Sequence, residues 1–544
     1  MPETETIDEK INRQSPDFKN VLSFFEEITE IPRCSQNEER IASYLENFGK
    51  EKGFETKRDR HNNILIKVPA TAGYETVPPV VLQSHMDMVC EKADGSLHNF
   101  SSDGIRLSYV TENGVPYLTA NGTTLGADNG IGIAYSLAIA TSSEIPHPPL
   151  ELLITTDEEK GLTGAHCMDN DFISANLLLN LDSEEDGVII VGCAGGTQIE
   201  FKKQIDLEDA DIDDGEANDG KTNEREENDG VPVAYNLTVA GLLGGHSGVE
   251  IHIGRGNANQ ILIHFLKRVH EKYPKNCLKI VRIEGGNAHN AIPRHSECLF
   301  VTTIPFKTLK AESESYAAGI LSDPDFNDPG LTVTVAVAVL PKPERDSRDG
   351  PKSFSSKNTE QLIHFLSSVQ NGVFEMSADL PGLVLVSGNL AKIRTLPADA
   401  ETPKREVEVI YSLRSGSDPK LKKKVKEMMT FAEDFRFNCE ISNSYTPWEP
   451  DLNSELLKTC LNTYRKTFGA EAKVTAIHAG LECAVFRLKY PSMQMVSIGP
   501  DIIGAHTPFE KMDLIAAENV WVYLKEILKS LDAETNKKDA QNSA

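Results

Sequence analysis

Residues 80–87 read Val80-Val81-Leu82-Gln83-Ser84-His85-Met86-Asp87 and join a short apolar run to a histidine and an aspartate. Such a run, rich in β-branched residues, predicts a buried β-strand. Similar runs and a helix surround it, at Ile64–Lys67, Leu150–Thr155, Leu177–Leu181 and, for the helix, Gly130–Thr141. Short apolar strands that alternate with helices predict an α/β layered domain.

The middle of the chain predicts a smaller α+β domain inserted into the first. Its predicted elements are a helix over Asn257–Lys272 and strands over Tyr235–Ala240, Leu278–Ile283, Cys298–Ile304 and Leu331–Leu340. The predicted organisation is an N-terminal extension (1–17), the α/β domain (18–200 and 405–532), the inserted domain (201–404) and a polar tail (533–544). Between Asp206 and Asp229 the chain is strongly acidic with almost no apolar residues, which predicts a disordered loop.

Composition narrows the class of protein. The chain has 544 residues and a net charge of -27, so it repels nucleic-acid backbones and anionic membranes, and neither is expected as a partner. Its nine cysteines form no CxxC pair, and this odd, scattered set predicts reduced thiols rather than a disulfide framework. The N-terminus lacks the pattern of a signal peptide, and the cytosol is the expected location.

Polar side chains follow several predicted strands. His85 and Asp87 end the first run, and the others are Asp157-Glu158-Glu159 after Leu150–Thr155, Asp182 after Leu177–Leu181, and His506 after the strand predicted at Met493–Ile498. Asp128 stands before the helix. In open α/β sheets, ligands bind at the carboxyl ends of the strands, so we expect these groups to converge.

Each of these residues has an ordinary explanation when taken alone, as a core histidine, a solvated acid pair or a helix cap. Together, clustered carboxylates would repel one another, and a pair of cations would resolve that repulsion. The mixture of imidazole and carboxylate suits zinc, cobalt or manganese better than calcium.

Long motifs in this order resemble a known family. They occupy residues 83–89, 122–132, 157–161, 181–187, 244–252, 477–483 and 496–500. The chain resembles the aminoacyl-histidine (Xaa-His) dipeptidases, part of the di-zinc group of carnosinases, aminoacylases and glutamate carboxypeptidases. The resemblance runs from about Phe18 to about Leu531 and implies a zinc-exopeptidase-like catalytic domain, with a central mixed sheet flanked by helices, and an inserted lid domain.

The resemblance also implies roles for individual residues. Asp128 would bridge two metal ions, His85 and Asp182 would complete one site, and Glu159 and His506 would complete the other. The remaining roles are Asp87 fixing the imidazole of His85, Glu158 as general base, His246 as oxyanion donor and Arg414 as a group that grips a substrate carboxylate. Members of the group are commonly homodimers joined through the lid. The acidic insertion and an altered stretch at Leu321–Phe354 depart from the pattern but remove no implied ligand.

The expected function is therefore hydrolysis of unblocked dipeptides by a water activated between two metal ions. An N-acyl amino-acid hydrolase of the aminoacylase type uses the same chemistry and stays open as an alternative. An inactive relative acting as a binding protein would have lost a ligand or Glu158, and none is lost.

Overall fold

The first part of the chain builds alternating helices and strands. The computed structural model describes residues 15–210, 232–274, 277–340, 351–397 and 404–531. Contacts divide the chain into a first unit, residues 1–193 and 448–544, and a second unit, residues 194–447. The first unit opens with helices α1 (Pro16–Thr29), α2 (Glu39–Glu51), α3 (Ala127–Thr141) and α4 (Thr163–Cys167), and with strands β1 (Glu55–Arg58), β2 (Ile64–Val68), β3 (Val80–His85), β4 (Leu107–Glu112), β5 (Val115–Ala120), β6 (Leu150–Thr155), β7 (Leu177–Asn180) and β8 (Val188–Cys193).

The second unit follows without a break. Its strands are β9 (Gly195–Asp209), β10 (Val233–Ala240), β11 (Gly245–His246), β12 (Leu278–Gly285), β13 (Ala291–Ile292), β14 (Ser296–Thr302), β15 (Thr332–Val337), β16 (Lys352–Phe354), β17 (Gly372–Met376), β18 (Val384–Thr395), β19 (Lys404–Ser415) and β20 (Asn438–Tyr445). Its helices are α5 (Ala258–Lys272), α6 (Phe306–Leu321), α7 (Ser356–Ser368) and α8 (Asp418–Asp434).

The chain then returns to the first unit. The returning segment contributes α9 (Glu455–Phe468), β21 (Lys473–Ile477), α10 (Glu482–Lys489), β22 (Gln494–Ser497), β23 (Ile502–Ile503), β24 (Lys511–Asp513) and α11 (Leu514–Ser530). Within the described residues, no helix is long and apolar enough to cross a bilayer.

A mixed sheet forms the centre of the first unit, in the order β1-β2-β6-β3-β7-β22-β8-β21. Its middle strands β6, β3, β7 and β22 are parallel to one another, whereas β2 pairs with β6 and β8 pairs with β22 in the antiparallel direction. Alternate residues enter two separate cores, since Val80 and Leu82 pack with α1, α3 and α11 whereas Val81 packs with α4 and α10. This confirms the predicted α/β domain with helices on both faces.

A second large sheet organises the second unit, in the order β15-β10-β14-β12-β18-β19-β9-β16, with β17 and β20 paired to β18 and β9. Neighbouring strands are antiparallel, as in the pairing of β9 with β19, and helices α5, α7 and α8 cover the sheet through one apolar core. The predicted α+β domain is confirmed as a fold.

Both predicted domain boundaries need correction. Residue 200 lies inside β9, and residue 405 lies inside β19. Since β19 pairs along its whole length with β9 and with β18, it belongs to the second unit, and the chain returns only at Trp448. A strand pattern alone does not reveal which sheet the strand joins.

Two further expectations change. Residues Asp206–Asp209 belong to β9 and pair with Lys404 and with β16, so they are not disordered. Residues 211–229 of the acidic segment, residues 1–14 of the N-terminal extension and the polar tail at 533–544 lie outside the described residues.

Cys34 and Cys90 form a disulfide, contrary to the expectation of reduced thiols. The fold pairs Cys34 with Met88 and so brings Cys34 close to Cys90, a proximity that their separation of 56 residues conceals.

Candidate metal centre

Three parallel strands bring the first candidate residues together. His85 is the last residue of β3, which lies between β6 and β7 and is parallel to both. Glu158 and Glu159 follow β6, and Asp182 follows β7. The carboxyl ends of these strands therefore deliver one imidazole and three carboxyl groups to one edge of the sheet, as the sequence predicts.

Asp128 lies between two histidines. Its Oδ1 is 2.9 Å from His85 Nε2, and its Oδ2 is 3.0 Å from His506 Nε2. His85 Nε2 also lies 3.2 Å from Asp182 Oδ1, and His506 Nε2 lies 3.0 Å from Glu159 Oε2. The two oxygens of one carboxylate thus face two sets of nitrogen and oxygen ligands.

The start of α3 sets the position of Asp128. Asp128 and Asn129 depart from helical backbone angles although they begin the helix. The Asn129 side chain donates to the carbonyl of Leu181 and to Asp182 Oδ1, each at 2.6 Å. Asn129 therefore links the segments that carry Asp128 and Asp182.

Asp87 supports both halves of the centre. It is fully buried, and its Oδ1 lies 3.4 Å from His85 Nδ1. Its two oxygens also accept hydrogen bonds from the backbone amides of Glu158 and Glu159, at 3.0 and 3.3 Å. One carboxylate thus contacts the imidazole and holds the turn that carries both glutamates.

The buried carboxyl groups of the centre repel one another. Burial, together with the charge of Asp128, raises the pKa of Glu159 to about 7. Burial also raises the pKa of Glu158 well above its ordinary value, and Asp182 and Glu159 add to that effect. Burial alone would lower the pKa of His85, but Asp182 and Asp128 outweigh it and hold the pKa of His85 high. The site therefore favours added positive charge.

The donor set fits divalent metal ions. Candidate ligand atoms lie within 4.8 Å of one another in two sets, and Asp128 belongs to both. The first set adds His85 and Asp182, and the second adds Glu159 and His506. Glu159 Oε1 is buried and has no hydrogen-bond partner among the residues that the structure describes. Asp128 and Glu159 raise the pKa of His506 to about 11 against the effect of burial, so protons tend to occupy the positions that a metal ion would take. Imidazole nitrogen and carboxylate oxygen are ligands that suit zinc.

Glu158 is adjacent in sequence to the ligand Glu159 but absent from both of those sets. Its carboxyl group comes within 4.8 Å of ligand atoms of His85 and Glu159. Glu159 faces His506, and Glu158 lies beside both candidate sets.

His246 and Arg414 belong to the second unit and lie close to each other. His246 is in β11, and its Nδ1 accepts hydrogen bonds from the amides of Gly248 and Val249, at 3.3 and 3.0 Å. A neutral ring in that arrangement carries its proton on Nε2. Arg414, in β19, lies with Nη2 3.5 Å from that Nε2, and its Nη1 donates to the Tyr445 hydroxyl at 3.0 Å. The imidazole and the guanidinium therefore lie together in one small region of the second unit.

Sequence patterns do not single out several buried charged groups around the centre. Glu482, at the start of α10, accepts from Gln83 Nε2 and Thr155 Oγ1, each at 2.6 Å, and Asn180 donates to Gln83. Arg33 and Glu510 are each only 2% exposed. The one available sequence signal is a charged residue among apolar neighbours, and this signal does not say which group the charged residue contacts.

Imidazole and carboxylate groups that converge at the strand ends of an α/β sheet, with a further glutamate beside them, are typical of metal-dependent hydrolases. The chain belongs to peptidase family M20/M25/M40, whose sequence profile matches residues 81–530. It is therefore an enzyme that acts on peptide bonds.

Individual relatives agree with that assignment. The chain is 35% identical over 515 residues to the cytosol non-specific dipeptidase of Escherichia coli (strain K12), covering 94% of this chain and 97% of the relative. The crystal structure of aminoacylhistidine dipeptidase from Vibrio alginolyticus matches with a TM-score of 0.77 and 33% identity, covering 96% of this chain and 98% of that one. A tripeptidase from Staphylococcus aureus, with a TM-score of 0.55 and 16% identity over 94% of this chain and 98% of that one, shares the fold.

Proposed function

We propose that this peptidase hydrolyses unblocked dipeptides, Xaa-His among them, at a centre of two divalent metal ions, preferably zinc, with cobalt or manganese able to replace it. The observation that carries the proposal is Asp128, whose two oxygens face His85 and His506 separately. The dipeptidase names of the Escherichia coli and Vibrio relatives support the substrate class, and the name of the first supports a cytosolic location.

The residues of the first unit divide the chemistry between them. Bound metal ions would supply Lewis acidity and lower the pKa of a water molecule. Glu158 accepts the proton of the attacking water and returns it to the leaving amine. Asp87 keeps His85 in the required orientation and, through the amides of Glu158 and Glu159, fixes both glutamates.

Residues of the second unit extend the proposal. His246 donates its Nε2 proton to the developing oxyanion, and Arg414 binds the substrate carboxylate. The support is the hydrogen bonding of His246 Nδ1, which accepts from two backbone amides, and the guanidinium of Arg414, which lies 3.5 Å from Nε2. The active enzyme is a homodimer joined through the second unit.

The substrate class is tested with a matched pair of substrates. A free dipeptide such as Ala-His and its N-acetylated form are offered to the zinc-loaded enzyme, and release of histidine is measured. We expect rapid release from the free dipeptide and little from the acetylated one. Faster release from the acetylated form would instead identify an N-acyl amino-acid hydrolase, and no release from either would identify an inactive relative.

His246→Ala is expected to lower kcat by about 10²–10³-fold, because a donor to the oxyanion is lost. Zinc content should stay at the wild-type level, since no proposed ligand changes. His264→Ala, which removes an exposed histidine of α5 in the same unit, is the control and should leave kcat unchanged. A His246→Ala enzyme with wild-type kcat would contradict the assigned role.

Co-expression tests whether His246 acts across a dimer. His246→Ala and Glu158→Ala chains carrying different affinity tags are co-expressed, and the mixed dimers are purified through both tags. If His246 serves the partner's centre, each mixed dimer holds one intact site and activity returns. Inactive mixed dimers would mean that His246 acts within its own chain.

A further inference from the structure

The loop that delivers Asp128 is held by a buried carboxylate from a distant part of the chain. Glu510, just before β24, accepts three backbone hydrogen bonds from this loop. Its Oε2 accepts from the amides of Leu125 and Gly126, at 2.8 and 3.0 Å, and its Oε1 accepts from the amide of Ala127 at 2.8 Å. Both oxygens are thus committed to the three residues that precede Asp128.

A buried arginine holds the same loop through a carbonyl. Arg33, which follows α1, donates through Nη2 to the carbonyl of Gly126. Its Nη1 donates to the carbonyls of Met86 and Asp87, at 3.1 and 3.2 Å. Arg33 therefore connects the loop before Asp128 to the segment that carries Asp87, the carboxylate that orients His85.

The backbone leaves room for this arginine at two glycines. A Cβ atom at Gly126 would lie 2.5 Å from Arg33 Nη2, and one at Gly130 would lie 2.7 Å from the same atom. Gly126 also has a φ of 72°, a conformation that favours glycine. The close approach of the guanidinium is thus built into the residues on both sides of Asp128.

Neither group is an ordinary surface charge. Arg33 and Glu510 are both 2% exposed, and a buried charge is costly unless other groups compensate it. Burial lowers the pKa of Arg33 to about 10, and the charges of Glu510, Asp87 and Asp128 act against that fall, so the guanidinium stays protonated at neutral pH. Among the described residues, neither side chain belongs to a set that could hold a metal ion.

We infer that Arg33 and Glu510 are positioning residues that clamp the Leu125–Asp128 loop and thereby set the geometry in which Asp128 is shared between two metal ions. This inference rests on the proposed function, because the proposal assigns Asp128 its bridging role. Neither residue touches the reacting atoms. Loss of the clamp should weaken metal binding first and reduce turnover as a consequence.

Zinc binding to the metal-free enzyme tests the clamp. Glu510→Gln replaces one accepting oxygen by an amide group that cannot accept the loop amides. We expect zinc affinity to fall by about 10–100-fold, as for other residues that orient metal ligands. Arg33→Lys keeps the charge but loses the forked geometry, and a fall in the same direction is expected. Calorimetric titration measures both effects, and hydrolysis of Ala-His should recover as zinc approaches saturation.

Glu151→Gln is the matched control. Glu151 is 3% exposed and accepts hydrogen bonds from Ser174 N, Ser174 Oγ and Ala175 N, at 2.9, 2.6 and 3.1 Å. It lies near the start of β6, whereas the metal centre lies beyond the other end of that strand. Its replacement should lower the thermal stability of the metal-free protein without changing zinc affinity. If the loss of zinc affinity came from a general loss of folding, Glu510→Gln and Glu151→Gln would both show it, and added zinc would not restore activity.

If Glu510→Gln and Arg33→Lys both bind zinc with wild-type affinity, the inference that Arg33 and Glu510 position the loop is wrong. If Glu510→Gln does not fold, Arg33→Lys decides the question by the same titration. Failure of the proposed function has a different signature, since the wild-type protein itself would then bind no zinc or release no histidine from Ala-His.

Discussion

Glu158→Gln is expected to lower kcat by about 10²–10⁴-fold, the usual contribution of a general base, while two zinc ions per chain remain bound. The amide cannot accept the proton of the attacking water. It keeps the size of the side chain, and the hydrogen bond from the backbone amide of residue 158 to Asp87 does not depend on the side chain. Steady-state kinetics and metal analysis of the same preparation measure the two quantities.

Glu159→Gln is the paired variant and should behave differently. Glu159 Oε2 faces His506 at 3.0 Å, whereas Glu158 is absent from that set of ligands. The Glu159 variant should therefore lose affinity for one of the two ions, and excess zinc should restore part of its activity. The reverse pattern, with metal lost from Glu158→Gln and retained in Glu159→Gln, would show that base and ligand are exchanged.

The burial of Glu158 also affects its protonation. Without metal ions, burial and the neighbouring charges of Asp182 and Glu159 raise the pKa of Glu158 well above its ordinary value, which favours the protonated carboxyl group. Positive charge nearby lowers the pKa of a carboxyl group. The metal ions would thus favour the ionised form of Glu158.

Much of the metal centre could be predicted from the sequence because its residues follow recognisable strands. His85 ends β3 and Asp182 follows β7, and parallel neighbouring strands must bring such residues to one edge. The pairing of Asp128 with two histidines was implied only by the family resemblance, since His506 is 378 residues away and no local pattern joins them.

The supporting residues could not be predicted for the same physical reason. Glu510 contacts Leu125 across a separation of 385 residues, through backbone amides that carry no sequence signature. Sheet membership posed a similar problem. The sequence places the return to the first domain at residue 405, but the register of β19 with β9 and β18 shows that this strand belongs to the second unit.

Asp128→Ala is expected to be the most damaging change of a single ligand. Each oxygen of Asp128 faces a different histidine, so both sets of ligands lose a donor together. Affinity for each ion should fall by at least about 10²-fold, more than for a residue that only orients a ligand, and hydrolysis should become undetectable at ordinary zinc concentrations. Exhaustive chelation of the wild-type enzyme should have the same effect, reversed by added zinc, cobalt or manganese.

Asp328→Ala controls for the loss of a buried carboxylate. Asp328 is fully buried in the second unit and accepts from the amides of Leu243 and Gly256, at 2.8 and 2.7 Å. Its removal should lower the melting temperature and leave zinc stoichiometry at two. Wild-type activity in a protein whose metal content is verified as zero would exclude the metal-dependent mechanism altogether. Retention of both ions by Asp128→Ala would exclude the shared carboxylate while leaving two separate metal sites possible, because His85 with Asp182 and His506 with Glu159 each still offer two ligands.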